Sequence, residues 1–254
     1  MSAPVFLAEA SAAHPLSGYA AGAVYVLDGA EGRHAGVVQR RGPGERIDVV
    51  DGAGVRLRTV VESVQGAEVH LRVEQADVEP VPDVVVTLVQ ALAKGDRDEM
   101  AIEAATETGA DAIIPWQAER SVVVWRGDRA AKSRARWVST VRAATKQARR
   151  ARIPAVDVPL SSKQLAARTR EVVAAGGAVV VLHEEATAGL ASVALPDAGP
   201  LLLVVGPEGG ISETEVALLT EAGATTARLG PHVLRTSTAG PIAIALLSER
   251  LGRW

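Results

Sequence analysis

The chain has 254 residues, 48% of them hydrophobic, with a formal net charge of −3 and no cysteine. That length permits one large domain or two modest ones with ample cores, and the absence of cysteine removes disulfides, thiolate metal sites and cysteine nucleophiles. No segment approaches the roughly 18 uninterrupted apolar residues of a membrane helix, the N-terminus lacks a charged-then-apolar export signal, and His14, His34, His70, His183 and His232 are isolated from one another; the expectation is a cytosolic protein with no metal and no membrane partner.

In chain order, the first 78 residues read as short β-rich segments at 23–27, 46–50, 55–64 and 68–73, separated by the turns GPGE, DGAG and QGAE. This pattern predicts a small β-barrel. Residues 79–83, carrying Pro80 and Pro82, form a linker into a second domain over 79–254. There, apolar segments at 84–92, 112–115, 178–182, 201–205 and 226–229 alternate with helical patterns at 97–108, 131–150, 161–175, 213–222 and 238–251. That alternation predicts an α/β domain with a mostly parallel sheet.

Charge is distributed unevenly. Between Arg120 and Arg152 stand eleven Lys and Arg residues against one acid, Asp128, a local charge of +10. On a helix over 131–150, Trp137, Val141, Ala144 and Ala148 fall on one side, while Arg142, Lys146 and Arg150 recur every four residues on another. The apolar side docks and the basic side is available to phosphates; a merely solvated face is the alternative.

The most informative stretches are LLLVVGPEGG at 201–210 and LGPHVLRTST at 229–238. The five apolar residues at 201–205 suit a strand buried on both faces. Ser212 and Glu215 have capping-box spacing, so 206–210 is a strand-to-helix turn in which glycines let backbone approach a ligand. Thr236 to Thr238 are placed to cap the final helix, with Pro241 in its first turn. Arg235, among Leu234, Thr236 and Ser237, suits the grip of an anionic or carbonyl oxygen.

Both blocks resemble those of the bacterial RNA uridine-N3 methyltransferases that act on 16S ribosomal RNA, a family of the knotted SPOUT methyltransferase superfamily. The likeness extends to VQALAKGDRDEMAIEAATETGADAIIPWQAERSVV at 89–123, QARRARIP at 147–154 and VLHEEA at 181–186. A weaker match lies in RHAGVVQRRGPGERIDVVDGAG at 33–54, so the similar blocks span nearly the whole chain in order.

The resemblance implies a PUA-like RNA-binding β-barrel over 1–78 and a SPOUT domain over 79–254, whose C-terminal part is tied into a deep trefoil knot. It also implies a homodimer, S-adenosyl-L-methionine as cofactor, and the small ribosomal subunit with its 16S rRNA as partner. Carried residue by residue, the cofactor site comprises Leu182, His183, Gly206, Pro207, Glu208, Gly209, Gly210, Leu229, Gly230, Val233, Leu234 and Thr236, with Arg235 beside them. Two positions depart from the family pattern: His232 stands where arginine is common, and Ser237 where glutamate is common. Packing at a strand end is the alternative for His183, and capping of nearby amides the alternative for Glu208.

Methyl transfer to uridine N3 requires loss of the N3 proton, with charge spreading onto O2 and O4. Arg235 is the candidate that stabilises this charge, and Glu208 the candidate proton acceptor or orienter. RNA contacts fall to Arg33, His34, Arg40 and Arg41 in the first domain, and to Lys94, Arg120, Arg142, Lys146, Arg149, Arg150 and Arg152 further on. Lys94 also fits a strand-end surface lysine, and His34 a structural histidine. Aromatic residues make up only 3% of the chain, which favours shape and phosphate contacts over stacking platforms. The competing readings are a ribose 2′-O-methyltransferase of the same superfamily, a non-catalytic ribosome assembly factor, and an enzyme for a phosphorylated metabolite.

Overall fold

The structure, a computed structural model, describes residues 3–8 and 15–254; His14 and much of the N-terminal stretch read for an export signal lie outside them. The chain divides into two compact units, Met1–Val81 with Thr145–Ile153, and Pro82–Ala144 with Pro154–Trp254.

In the first unit, β1 (Val5–Leu7), β2 (Val24–Leu27), β3 (Arg46–Val50), β4 (Val55–Gln65) and β5 (Glu68–Val78) form one sheet in the order β1-β3-β4-β5-β2. Only the β1–β3 pair is parallel. Alternation decides the buried face: Leu57, Thr59 and Val61 of β4, and Val69, Leu71 and Val73 of β5, all point into a core with Phe6, Leu27 and Ile47. Register shifts at Arg58/Thr59 and Val61/Ser63 bend the two long strands. Between β2 and β3, helix α1 (Gly29–Arg33) runs into a π turn at His34–Val38. Neither β1 nor this helical turn is visible as periodicity, because each is about one turn or one strand-end long.

The segment 145–153 is fastened to the first unit by polar contacts. Lys146 Nζ lies 2.7 Å from Glu31 Oε1, and Arg56 donates to the Arg149 carbonyl at 2.7 Å while pairing with Asp48 at 2.9 Å. The Arg152 guanidinium donates to the Glu79 and Pro80 carbonyls. The basic helix has the expected length but is displaced toward the N-terminus, beginning at Asp128 and ending at Gln147. Arg149 adopts φ 57°, its N–H bonds the Lys146 carbonyl, and the Arg150 N–H bonds the Thr145 carbonyl, a reverse that stops the helix at Gln147.

In the second unit the elements follow in order: β6 (Val84–Ala91), α2 (Arg97–Glu107), β7 (Ala112–Gln117), α3 (Asp128–Gln147), β8 (Ala155–Val156), β9 (Leu160–Ser161), α4 (Ser162–Ala174), β10 (Ala178–Leu182), β11 (Gly199–Val205), α5 (Glu213–Glu221), β12 (Thr225–Ala227) and α6 (Thr236–Arg250). The last turn of α3 counts with the first unit. The sheet order is β12-β10-β11-β6-β7-β8, with β9 also on β7, and every described ladder in it is parallel. Leu201 to Val205 are all buried, as a central parallel strand requires.

One face of the sheet packs Val89, Ile114, Trp116, Val181 and Val204 against Leu165 and Val172 of α4 and Leu219 of α5. Helices α2 and α6 pack together and against β6. On α3, Trp137, Val141 and Ala144 are buried, while Arg142 is exposed. No helix among the described residues is long and apolar enough to cross a membrane.

Candidate functional site

Strands β10, β11 and β12 run parallel, so their C-terminal ends emerge on one side and their following loops meet there. A cleft of about 840 Å³ opens among these loops. Its walls include Leu182 and His183 after β10, Gly206 through Gly210 after β11, and Leu229, Gly230, Val233, Leu234, Arg235 and Thr236 between β12 and α6. Every cofactor residue named from the two blocks and the VLHEEA motif thus lies in one place.

The glycine loop is held from both ends. Gly210 takes φ 73° and its N–H bonds the Pro207 carbonyl at 2.9 Å, closing a turn that an L side chain would strain. At Gly206 an added Cβ would stand 2.6 Å from Ile211 Cγ1, so the backbone packs where a side chain has no room. Helix α5 then begins with the expected capping box: Ser212 Oγ accepts the Glu215 N–H at 3.2 Å, and the Glu215 carboxylate accepts the Ser212 N–H at 3.2 Å.

Glu215 does more than cap. Only 3% exposed, it also accepts the Glu119 N–H at 2.8 Å and the Ser162 hydroxyl at 2.5 Å, tying α5 to the 118–121 segment and to α4. From that segment Arg120 reaches the glycine loop, donating to the Gly209 carbonyl at 3.0 Å. Sequence pattern places Arg120 among RNA contacts; its observed partner is the loop itself, and it lines the cleft.

Glu208 is clamped rather than loose. Its Oε1 accepts from Arg97 Nη1 at 2.8 Å and from the Lys94 amide at 3.0 Å. Partial burial would by itself raise its pKa, but the hydrogen bonds from its own amide, Arg97 and Lys94, together with the charge of Arg97, outweigh this and hold the carboxyl below its ordinary range. The group stays ionised at neutral pH. No motif singles out Arg97; its one signal is its place in the charged KGDRDE stretch following a buried strand. The Lys94 side chain is exposed, and it is the backbone of Lys94 that meets Glu208.

Supporting this clamp is Asp98, 5% exposed in the first turn of α2. Burial pushes its pKa up to about 6, partly offset by hydrogen bonds from the Ala93 and Glu99 amides. A carboxyl raised in the folded state favours folding fully below its unfolded pKa of about 4, and loses that contribution as pH rises through about 6. The expected result is a loss of about 2 kcal/mol of stability from this group between pH 4 and 7. Asp98→Asn flattens it, which urea unfolding of wild type and variant across that range will measure as a pH-dependent difference.

The start of α6 differs from the capping expectation. Arg235 is the N-cap residue and no side chain caps the helix; Thr238 Oγ1 turns back to the Arg235 carbonyl instead. Thr236 is committed elsewhere: its hydroxyl donates to the Gly206 carbonyl at 2.7 Å and accepts from Gln90 Nε2 at 2.9 Å. The two blocks are thereby joined directly, with buried Gln90 backing the Thr236 hydroxyl. Because the helix starts at Thr236, Pro241 lies in its second turn, not its first. The Arg235 side chain, by contrast, is exposed and has no hydrogen bond or ion pair among the described residues.

His183 lines the cleft, with Nδ1 accepting the Glu185 amide at 3.3 Å and its own N–H donating to the Ala227 carbonyl. His232 is an exposed lining residue, and Glu184, Glu185, Glu213 and Arg228 join the walls without having been singled out individually.

Of the remaining RNA-contact candidates in the second unit, Arg142 does not line the cleft. In the first unit, Arg33 and Arg40 are exposed, and Arg40 takes φ 54°. His34 meets Gln39, whose Oε1 accepts from Arg41, and Arg41 pairs with Glu45 at 3.2 Å. Lys146, Arg149, Arg150 and Arg152 lie in this unit, and Arg142 in the second. Several cations of the +10 stretch have partners that the linear sequence conceals: Glu31 for Lys146, Glu99 for Arg136 at 2.7 Å, and the Val156 and Asp157 carbonyls for Arg134.

A parallel sheet whose last loops close a backbone-rich cleft defines an α/β domain with a ligand site at its strand ends, and residues 80–248 match the model of the RNA methyltransferase domain family. The chain is 52% identical to a ribosomal RNA small subunit methyltransferase E of Mycobacterium bovis, covering 92% of this chain and 89% of that one. A protein of the same name from Bacillus subtilis is 34% identical, with 88% and 89% covered. The chain belongs to the ribosomal RNA small subunit methyltransferase E family. Among solved structures, the Neisseria gonorrhoeae protein of that name bound to S-adenosyl methionine superposes with a TM-score of 0.82, 26% identity and 98% of both chains covered.

Proposed function

We propose that this protein is an S-adenosylmethionine-dependent methyltransferase that modifies N3 of a specific uridine in the 16S rRNA of the small ribosomal subunit. The observation that carries this reading is the convergence of both glycine-containing blocks on one cleft beside the unpaired Arg235 guanidinium. Its volume of about 840 Å³ lies within the range of cofactor pockets. Apolar Leu182, Val205, Leu229 and Leu234, with the backbone of 206–210 and 229–236, suit an adenine and a methionyl chain.

When bound, the cofactor supplies a methyl group made electrophilic by its sulfonium. The chain's own residues then have three tasks. The loops hold base and cofactor in line, which accounts for much of the acceleration. Arg235 meets the negative charge that develops on the uridine carbonyl oxygens as the N3 proton passes to solvent water and leaves the N3 lone pair free to take the methyl group. Glu208, ionised and held at Oε1 by Arg97 and the Lys94 amide, orients the loop; its depressed pKa makes it a poor proton acceptor at neutral pH. Arg97→Ala is expected to free this carboxylate and raise the KM for the cofactor several-fold, read in steady-state kinetics.

The first unit serves as a PUA-like RNA-binding module, with Arg33, His34, Arg40, Arg41, Arg149, Arg150 and Arg152 toward phosphates. The C-terminal part of the second unit forms a trefoil knot; the Gln90–Thr236–Gly206 chain of hydrogen bonds and the pairing of Arg228 with Ala188 and Leu190 support it. The active form is a homodimer, supported by the exposed Ile242, Leu246 and Trp254 of the C-terminal region.

Incubation with methyl-labelled S-adenosylmethionine and small subunits lacking the modification, followed by nucleoside mass spectrometry, tests the reaction. Label on uridine N3 supports it. Label on ribose instead establishes the 2′-O-methyltransferase reading, and RNA binding without any transfer the assembly-factor reading.

A further inference from the structure

The segment 118–121 separates two recesses of the second unit. On one side Arg120 faces the glycine loop; on the other, Ser121 lines a depression of about 480 Å³ that the methyl-transfer reading leaves unused. One wall is Trp125, half-buried and packed edge-to-face on Trp137 with ring centroids 5.1 Å apart. Gln117 fixes that wall, accepting the Trp125 amide at 3.1 Å and donating to the Val123 carbonyl at 2.9 Å. Opposite lies the start of the 13-residue helix α4, at Ser161, Ser162 and Lys163.

Three features point to a ligand. Lys163 and Arg126 are exposed cations lining the depression, and neither has an ion pair among the described residues. The α4 N-terminus adds partial positive charge. Ser121, 9% exposed, lines the same depression, and its buried Oγ has no hydrogen-bond partner among the described residues. The one lining carboxylate, Glu119, is engaged by the Ser212 hydroxyl at 2.5 Å. An indole wall beside two unpaired cations is the chemistry of a single nucleotide: a base stacked on the ring, a phosphate at the charges.

We propose that this depression is a second nucleotide subsite, holding an unpaired nucleotide of the RNA substrate that lies near the reactive uridine in the strand. The base packs on Trp125, and Lys163 and Arg126 meet its phosphate. The inference rests on the RNA-methyltransferase reading for the identity of the strand. The subsite acts in binding and takes no part in the chemical step.

The test is fluorescence anisotropy of the full-length protein with a labelled single-stranded RNA of small-subunit sequence, over a range of salt concentrations. Trp125→Ala is expected to weaken binding about tenfold, and Trp125→Phe to restore most of it. Lys163→Ala, an exposed change that leaves the fold intact, is expected to weaken binding and reduce the magnitude of the slope of log affinity against log salt by about one. The KM for small subunits rises in both alanine variants while affinity for S-adenosylmethionine holds. Wild-type RNA affinity and salt slope in Lys163→Ala, with wild-type affinity in Trp125→Ala, would overturn the subsite. Wild type that binds RNA but transfers no methyl group overturns the proposed reaction alone, because the binding comparison still judges the subsite; wild type that binds no RNA overturns both.

Discussion

Arg235→Ala is expected to lower methyl transfer to small subunits about 100-fold to 1000-fold while leaving S-adenosylmethionine affinity within a few-fold of wild type. The guanidinium lines the cleft at the start of α6, exposed and without an internal partner, so its removal costs the fold little. Its whole effect falls on the charged state of the base, where a single preorganised donor is worth about 3–4 kcal/mol. Arg235→Lys restores only part of the rate, because an ammonium cannot present the planar fork that two carbonyl oxygens accept. Isothermal titration with cofactor and single-turnover transfer, measured on the same preparations, separate the two effects. Full turnover in Arg235→Ala would remove this residue from the mechanism.

Glu215→Ala is expected to be the most destabilising single change near the cleft. The buried carboxylate satisfies the Ser212 and Glu119 amides and the Ser162 hydroxyl, and alanine leaves all three donors without it. Losing one partner of a buried polar group costs about 1–3 kcal/mol, so the expected total is about 3–4 kcal/mol after partial relaxation. A loss of that size lowers the thermal midpoint by roughly 6–14 °C. Because the same carboxylate anchors the end of the glycine loop, cofactor affinity falls as well. Glu215→Gln keeps two acceptor sites on one oxygen and retains most of the stability, which distinguishes lost hydrogen bonds from lost charge. Thermal scans and cofactor titration of the three proteins supply the measurement.

Much of the local architecture is readable from pattern. The strand at 201–205, the Ser212–Glu215 capping box and the helices at 97–107 and 213–221 emerge within a residue or two of their sequence boundaries, since cap and helices rest on contacts between residues at most four apart and the strand on an unbroken apolar run. Errors occur where the signal is short or where an end depends on tertiary contact. The extension of β5 to Val78 needs β4 as partner, and the stop of α3 at Gln147 needs the Schellman reverse at Arg149. Thr236 has the chemistry of a cap, but its hydroxyl is drawn to Gly206 and Gln90, an outcome no local rule contains.

By itself, the sequence determined the order of the longer strands and helices, the two glycine-containing loops, the family resemblance they carry and the loop residues of those blocks that line the cleft. These are properties of consecutive residues, whose conformational preferences and side-chain spacing act over a turn or two. Only the tertiary structure decided which charges are spoken for. Glu208 meets Arg97 across 111 positions, Lys146 meets Glu31 across 115, and Gln90 meets Thr236 across 146. An ion pair depends on separation in space, which chain position does not encode, so a stretch of +10 on paper becomes a set of fastened cations and a few free ones. At the cleft, packing gave Glu208 and Arg120 internal partners and left the Arg235 guanidinium unpaired among the described residues.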